Sequence, residues 1–402
     1  MAPERITVVG AGIAGLHCAI ELLKRGHTVN LYEKYDYVGG RMYTFHKKIP
    51  GGQVQWEAGA GRISEKHRLV LGLFKQYNLH TIPIGSKELY KQDYTSSLEP
   101  NLFEPSLPVF FGPLHNLSAE TLATRTIRQL CQEIYGPAKT EALLNRFPYR
   151  AEVDIMRADM ALSLFDVEMK SHDGYFVCKE GLSELAKRMR GDFVRRGGRI
   201  HLGHELLDVD GTTAIFKGGL RPTADRIILA MHVNALHHIP RFKGWGVMKH
   251  LRMTPLLRVY AKYPAPGGRP WFAGLPTVVT DTPVRYFIPT NEAAGEAMIS
   301  YTDARDAEPL MAMSEGALGR YLQKELRRLF PEKHIPAPIF LKTHPWKSGV
   351  TYWLPGRYDP ATESKKALRF SERIHVCGES FSLRQGWMEG ALEHAEMLLS
   401  SL

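Results

Sequence analysis

The first 32 residues of the chain show a regular succession of apolar and polar positions. Residues 6–9 form a short apolar run that predicts a buried parallel strand. Apolar side chains between Leu16 and Arg25 then recur at the spacing of one helix face, and Gly26 ends that pattern. Residues 28–32 form a second apolar run. This order of strand, helix and strand predicts a βαβ unit with a parallel sheet.

The turn between the first strand and the helix carries the glycine spacing of a dinucleotide site. Gly10 permits a tight turn, Gly12 lets the backbone approach a pyrophosphate, and Gly15 allows helix and strand to pack closely. Ile13 and Ala14, which precede the predicted helix, are candidate cofactor contacts. The free N–H groups and the dipole at the helix N-terminus attract the pyrophosphate. The alternative interpretation is a glycine-rich turn without a ligand.

A carboxylate follows the second strand. Glu33 lies about 20 residues beyond the glycines, where an acid accepts hydrogen bonds from ribose hydroxyls and disfavours a 2′-phosphate. The chain continues with Val38-Gly39-Gly40-Arg41. Here it resembles the flavin-dependent amine oxidase superfamily, in which a Gly-Gly-Arg segment lies along FAD with its arginine near the phosphates. The resemblance implies FAD rather than NAD, with Gly40 and Arg41 as cofactor contacts.

The segment from 58 to 68 narrows the resemblance. Gly59, Ala60 and Gly61 suggest backbone close to a ligand. With Arg62 and the following Glu-Lys-His-Arg, they resemble the L-amino-acid oxidase branch, where the arginine of this turn binds the substrate carboxylate. A guanidinium can offer a carboxylate two parallel hydrogen bonds. The alternative is a solvated or structural Arg62.

Two further positions are matched in the middle of the chain. Residues 256–262 predict a strand on which the oxidases usually carry a lysine near the flavin, and here Arg258 fills that place. This departure puts fast reaction of the reduced flavin with oxygen in doubt, because arginine is bulkier and does not deprotonate. Tyr301 matches a tyrosine that joins the arginine on the carboxylate. An ordinary strand arginine and a packing tyrosine remain the alternatives.

The carboxyl-terminal segment resembles the superfamily again. Residues 344–356, with Trp346, resemble its flavin-facing loop; monoamine oxidases carry a cysteine there that bonds to the flavin, whereas this stretch has none, so the FAD is expected to be non-covalent. The pair Gly378-Glu379 and the run Gly386-Trp387-Met388 resemble its closing signature. Trp387 is expected to face the substrate amine. Leu206 matches an apolar residue beside the adenine.

The fold class expected from these patterns is α/β: a Rossmann-like FAD-binding domain of discontinuous segments with an inserted α+β substrate domain. The FAD-binding domain is predicted over residues 1–79, 172–239 and 345–402, and the substrate-binding domain over 80–171 and 240–344. Within the latter, residues 90–108 are predicted as a loop, and helices are predicted over 119–134, 138–145 and 314–329.

The function implied by the resemblance is FAD-dependent oxidation of an L-amino acid. Hydride would pass from Cα to flavin N5, and the products would be a keto acid, ammonia and hydrogen peroxide. Arg62, Arg258, Tyr301 and Trp387 are the candidate catalytic residues. A monoamine or polyamine oxidase, an amino-acid monooxygenase, an oxygen-independent isomerase or desaturase, and a binding protein with a vestigial site remain alternatives.

Composition changes this picture little. The chain has 402 residues and a formal net charge of +10, but its basic residues are scattered, so the expected partners are an amino acid or amine and oxygen, and not nucleic acid. Four separate cysteines predict neither a disulfide framework nor a zinc site, and no metal is expected. No apolar run reaches the roughly 18 residues of a membrane span. With no room for a signal peptide and only a weak peroxisomal address at the carboxyl terminus, a cytoplasmic location is expected; a homodimer stays open.

Overall fold

The computed structural model describes residues 2–50, 52–168 and 174–402. Its strands are, in chain order, β1 (Arg5–Val9), β2 (Thr28–Tyr32), β3 (Thr44–Ile49), β4 (Gly52–Glu57), β5 (Ile63–Ser64), β6 (Thr81–Pro83), β7 (Glu88–Lys91), β8 (Glu99–Pro100), β9 (Tyr175–Cys178), β10 (Arg199–His201), β11 (Leu206–Asp210), β12 (Thr213–Phe216), β13 (Arg226–Leu229), β14 (Leu251–Lys262), β15 (Thr277–Thr280), β16 (Tyr286–Asn291), β17 (Glu296–Asp303), β18 (Phe340–Trp353) and β19 (Ile374–Val376). Its α-helices are α1 (Ile13–Lys24), α2 (Arg68–Gln76), α3 (Phe103–His115), α4 (Ala119–Thr124), α5 (Ile127–Tyr135), α6 (Pro137–Leu144), α7 (Ala151–Asp154), α8 (Ala158–Glu168), α9 (Leu182–Arg195), α10 (Val233–His237), α11 (Ala304–Met311), α12 (Glu315–Leu329), α13 (Pro360–Leu368) and α14 (Met388–Ser401).

A five-stranded parallel sheet forms the nucleotide-binding half. Its order is β10–β2–β1–β13–β19, and every neighbouring pair is parallel. The central strand β1 is buried on both faces from Ile6 to Val9, as expected for a strand covered from both sides. Helices α1, α9 and α14 pack on one face, and the β11–β12 hairpin with α10 packs on the other. The predicted α/β fold is confirmed.

A seven-stranded mixed sheet forms the second half. Its order is β18–β14–β17–β16–β15–β7–β8, with β15 and β7 parallel. Leu257 and Val259 point from β14 toward α11 and α12, where they join a buried apolar cluster. Arg258 lies on the opposite face because side chains alternate along a strand. Its cross-strand neighbours are Tyr301 on β17 and His344 on β18.

Two predictions within residues 80–171 were wrong. The predicted loop over 90–108 ends inside α3, because Pro105 lies in the first helical turn, where the missing N–H costs nothing. The single helix predicted over 119–134 is two helices, α4 and α5. Thr126 starts the second with a capping box to Gln129, which interrupts the helical backbone between them.

The flavin-facing loop expected over 344–356 is largely strand. Residues up to Trp353 belong to β18, which pairs along its length with β14. The ladder shifts register between Thr254 and Leu256, so Pro255 of β14 and residues 347–349 of β18, which include Gly349, lie outside the regular pairing. The predicted domain boundary at 345 falls within this strand, and the one between 171 and 172 lies outside the described residues. The division into two domains therefore stays a prediction.

Over the described ranges, none of the helices combines the length and the apolar character needed to cross a lipid bilayer.

Candidate functional site

Glycines shape the turn between β1 and α1 by leaving no space for side chains. Gly10 has a φ of +102°, and a Cβ atom on it would lie 2.4 Å from the carbonyl oxygen of Ala230. A Cβ atom on Gly15 would lie 1.9 Å from the carbonyl oxygen of Gly10. Both distances are far below van der Waals contact, so these glycines let α1 approach the ends of β1 and β13.

Gly12 faces open space instead. A Cβ atom built on it would meet nothing within 4 Å, and as the N-cap of α1 it offers no side-chain hydrogen bond. The N–H groups in the first turn of a helix have no partner within the helix, so those of Ile13 and Ala14 are available to an anion. Gly378, after β19, is similarly open. A bare helix N-terminus beside open glycines fits a pyrophosphate.

A cleft runs from this helix N-terminus and collects residues from both ends of the chain. The predicted cofactor residues that line it are Gly12, Ile13, Ala14, Arg41, Gly59, Ala60, Trp346, Gly378, Glu379, Gly386, Trp387 and Met388. Met231 and His232, which the sequence reasoning missed, also line it. Their position just after a parallel strand could have identified them, because ligands of such sheets bind outside the carboxyl ends of the strands.

Glu33, Gly40 and Leu206 are among the predicted cofactor residues that lie outside the lining of the cleft. The carboxylate of Glu33 accepts hydrogen bonds from two backbone N–H groups, at 2.7 and 3.0 Å, and retains lone pairs for further donors. A Cβ atom on Gly40 would lie 3.5 Å from the Cα atom of Gly12. Leu206 is buried in the apolar cluster around Tyr32 and Phe216. The ribose contact of Glu33 and the adenine contact of Leu206 stay predictions.

An ion pair connects three of the predicted segments. Arg41 donates from Nη2 to Oε2 of Glu379 at 2.8 Å and from Nη1 to the carbonyl oxygen of Gly349 at 2.7 Å. The other carboxylate oxygen of Glu379 accepts from the N–H of Gly386 at 2.9 Å. Glu379 therefore holds both the arginine beside the cleft and the backbone that presents Trp387.

His232 is a neutral ring within the cleft. Burial lowers its pKa to about 3, and the positive charges of Arg41 and Lys34 act in the same direction. Its Nδ1 atom accepts a hydrogen bond from the N–H of Ala235 at 3.1 Å and so caps α10. The ring adds a polar surface to the cleft without adding charge.

A larger cavity of about 720 Å³ adjoins the cleft. Arg258 and Tyr301 line both spaces and therefore stand where they meet. Gly61 and Arg62 line the cavity rather than the cleft. The sequence reasoning thus placed Gly61 and Arg62 with the cofactor residues, whereas in the structure they face the adjoining space.

Arg62 is surrounded by aromatic rings. It donates from Nη2 to the hydroxyl of Tyr149 at 2.6 Å, and its guanidinium lies 5.6, 5.5 and 6.0 Å from the ring centres of Tyr149, Tyr175 and Trp387. Burial raises the pKa of Tyr149 well above its ordinary value, so this hydroxyl stays protonated. Among the described residues Arg62 forms no ion pair. It is a charged group partly removed from water and available to an anion.

Trp387 forms part of the wall between the cleft and the Arg62 turn. Its ring packs against Tyr175 with a centroid distance of 6.1 Å and an interplanar angle of 8°. The edge of His67 contacts it at 4.9 Å, and His67 is itself paired with the buried Glu168 at 3.2 Å. These contacts hold the indole in one orientation, as a positioned aromatic wall requires.

Arg258 lies where the cavity opens into the cleft. Its Nη1 atom donates to the carbonyl oxygen of Glu57 at 3.1 Å, and its guanidinium lies 4.7 Å from the ring centre of Tyr301. Burial raises the pKa of the Glu57 carboxyl to about 7, against hydrogen bonds from Leu182 and Thr44 that favour its ionised form. The carboxyl of Glu57 thus changes charge near neutral pH beside a permanent cation.

Three tyrosines of this site were not predicted. Tyr149, Tyr175 and Tyr286 come from a loop before α7, from β9 and from β16, and all line the cavity. The hydroxyl of Tyr286 donates to Glu88 at 2.8 Å. No local motif surrounds any of them, so only the assembled fold reveals that they face Arg62.

The family model described as flavin containing amine oxidoreductase matches residues 13–397 of the chain. The chain is 25% identical over 461 residues to a flavin-dependent L-tryptophan oxidase of Lentzea aerocolonigenes, covering 98% of this chain and 96% of the relative. It is 37% identical over 455 residues to an L-amino-acid oxidase of Bothrops moojeni, covering 97% and 88% of the two chains.

Solved structures of putrescine oxidase share the fold. One variant aligns with a TM-score of 0.77 at 17% identity, covering 100% of this chain and 99% of that chain, and the wild type bound to putrescine aligns with a TM-score of 0.76 at 16% identity over the same shares. The family match covers most of the chain, and the bare helix N-terminus and open glycines fit the pyrophosphate of the cofactor that this family binds. The chain therefore belongs to the flavin-containing amine oxidoreductases and is an FAD-dependent oxidoreductase.

Proposed function

We propose that this enzyme is an L-amino-acid oxidase that converts its substrate to a keto acid, ammonia and hydrogen peroxide. The observation that carries the proposal is Arg62, a guanidinium that lines the substrate cavity and forms no ion pair within the described part of the chain. An amino acid brings the carboxylate that such a group binds, whereas a simple amine does not.

Three arginines that are more deeply buried than Arg62 and Arg258 have carboxylate partners. Each is paired with an aspartate: Arg150 with Asp306 at 2.9 Å, Arg157 with Asp159 at 2.7 Å and Arg285 with Asp281 at 3.3 Å. A buried cation without such a partner is costly to keep. Arg62 accordingly resembles a binding group rather than one of these structural pairs.

The surrounding residues would orient the substrate. Tyr149 holds one end of the Arg62 fork, which leaves the remaining N–H donors for two parallel bonds to a carboxylate. Trp387 provides a flat wall against which the neutral amine can rest, and the rings of Tyr175 and Tyr301 restrict water. FAD, when bound, supplies the two-electron acceptor for the substrate.

We assign no side chain as a general base. An amine that enters in its neutral form requires none, so the protein would contribute binding, orientation and exclusion of water. The names of two relatives, an L-tryptophan oxidase and an L-amino-acid oxidase, support an amino-acid substrate. The putrescine oxidase structures lie below 25% identity and support the fold alone.

The test is anaerobic mixing of the holoenzyme with L-amino acids, their D-enantiomers and amines such as putrescine, while flavin absorbance is followed. Rapid bleaching by L-amino acids, and by neither of the other groups, is the expected result. Bleaching by amines alone would instead identify an amine or polyamine oxidase and would refute the proposal.

The products and the reaction with air separate the remaining alternatives. A keto acid with stoichiometric peroxide is expected, whereas an amide product would indicate a monooxygenase. Arg258, in place of the usual lysine, favours a second candidate, an oxygen-independent isomerase or desaturase. Reduced flavin that persists for minutes in air-saturated buffer would favour that second function.

A further inference from the structure

Arg258 brings a second guanidinium with unused donors to the substrate cavity. Its Nη1 atom donates to the carbonyl oxygen of Glu57 at 3.1 Å, and the hydroxyls of Tyr301 and Tyr260 also interact with its guanidinium. The Nε atom of Arg258 is buried without a hydrogen-bond partner, and the residue forms no ion pair over the described ranges. An arginine has five N–H donors, so part of this hydrogen-bonding capacity, including the unpartnered Nε, is available to a ligand.

Arg258 and Arg62 face the same space. A Cβ atom on Gly61, the residue directly before Arg62, would lie 3.3 Å from Nη1 of Arg258. The rings of Tyr301 and Tyr149 connect the two arginines: Tyr301 lies under Arg258, its centroid is 5.2 Å from that of Tyr149, and the Tyr149 hydroxyl is bonded to Arg62. Two like charges therefore line one cavity.

The acids that line this cavity have other partners. Glu296 is paired with Lys262 at 3.2 Å, and the carboxylate of Glu88 accepts from the Tyr286 hydroxyl at 2.8 Å. The carboxyl of Glu57 accepts hydrogen bonds from the hydroxyl of Thr44 and from the backbone N–H of Leu182, the first residue of α9. Among the described residues, none of these carboxylates forms an ion pair with either arginine. Burial raises the pKa of the Glu57 carboxyl to about 7, so below that pH it does not compensate the charge of Arg258.

We propose that Arg258 binds a second carboxylate, so that the preferred substrate is an L-amino acid with an acidic side chain. The inference rests on the proposed function, in which Arg62 binds the carboxylate at Cα. A dicarboxylic amino acid would match the two guanidinium groups one to one. Lys87 and Lys179, exposed residues that also line the cavity, add a positive potential that favours the approach of a dianion.

Binding of substrate-like acids that lack the amine tests this directly. Glutarate carries two carboxylates and butyrate carries one, and neither can be oxidised at an amine. Their dissociation constants for the holoenzyme are measured from the perturbation of flavin absorbance. We expect glutarate to bind about 10- to 100-fold more tightly than butyrate, as loss of a charged hydrogen-bonding partner would require.

The variants R258M and R252M form a matched pair. Arg252 lies six residues earlier on the same strand and is exposed, so R252M should keep the preference for glutarate. R258M should bind both acids about equally while retaining its affinity for butyrate. If R258M fails to fold, R258K keeps the charge without the fork and should show an intermediate preference.

Oxidation of acid and amide pairs separates the two proposals. L-glutamate and L-aspartate should reduce the flavin faster than L-glutamine and L-asparagine. If the amides react equally well and glutarate binds no better than butyrate, the inference about Arg258 is overturned while the amino-acid assignment stands. If no amino acid reduces the flavin, both are overturned.

Discussion

Replacing Arg62 with alanine should selectively abolish recognition of the substrate carboxylate. Two parallel charge-assisted hydrogen bonds would be lost, each worth about 1.5–3 kcal/mol. Their sum of roughly 3–6 kcal/mol corresponds to a loss of about 10²- to 10⁴-fold in kcat/KM for amino acids. The more conservative R62K should lose less, because lysine keeps the charge but not the planar fork.

The stability of the folded protein should change little in the same variant. The guanidinium of Arg62 donates one hydrogen bond, to Tyr149, and forms no ion pair in the described part of the chain. Loss of one hydrogen bond from a charged donor costs about 1.5–3 kcal/mol, and removal of a partly desolvated cation offsets part of this cost. A small shift in melting temperature with a large loss of kcat/KM would therefore separate a binding role from a structural one.

The assay is anaerobic stopped-flow reduction of the flavin at varied substrate concentration, which separates binding from the reductive step. R68A is the matched control, because Arg68 is an exposed arginine at the start of α2 and should leave both parameters unchanged. The reasoning would be refuted if R62A bound amino acids as tightly as the parent enzyme. It would also fail if R62A lost residual amine oxidation to the same extent.

Three further predictions concern the cofactor and pH. Gly15→Ala should yield protein without flavin absorbance, since its Cβ atom would lie 1.9 Å from a carbonyl oxygen, whereas Gly72→Ala, with nothing within 4 Å, should purify yellow. Glu379→Gln should weaken FAD binding about tenfold or more, measured by titrating apoprotein, because it breaks a buried ion pair; unchanged affinity would argue against that role. Burial raises the pKa of Glu57 to about 7, so its carboxyl is neutral below that pH and becomes an anion beside Arg258 above it. The affinity for glutarate should therefore fall as pH rises through 7, and Glu57→Gln should remove this dependence; an identical pH profile in the variant would contradict the assignment.

The nucleotide-binding start of the chain could be predicted closely because its information is local. The strand expected over 6–9 is β1, the strand expected over 28–32 is β2, and α1 begins three residues before the predicted start. Each glycine acts on a neighbour within the same turn or at the adjacent strand end. Because these steric requirements act over short distances, they determine the spacing of the glycines, and this spacing is visible in the sequence.

Long-range pairing explains the errors elsewhere. The proline and glycine of residues 340–353 favour a loop when considered alone, yet β18 is a strand because β14 pairs with it along its length. Pro105 and Pro108 suggested a loop as well, but Phe103, Leu107 and Phe111 bury one face of α3 in an apolar cluster. Tertiary packing overrode local preference in both places.

The candidate substrate site divides in the same way. The family resemblance identified four candidate catalytic residues, because each lies in or beside a segment that resembles a family motif. They are Arg62, Arg258, Tyr301 and Trp387. Their surroundings could not be predicted: Tyr149 is 87 residues from the arginine to which it is bonded.

The sequence alone predicted a dinucleotide site, and its resemblance to a known family predicted FAD and a carboxylate-binding role for Arg62, since all of these depend on residues within short segments. Only folding decided that Arg62 and Arg258, far apart in the chain, line one cavity, and that no acid among the described residues forms an ion pair with either. Whether these arginines form ion pairs depends on the other hydrogen-bond partners of the nearby carboxylates. Those partners come from distant strands and loops, which meet only in the folded protein.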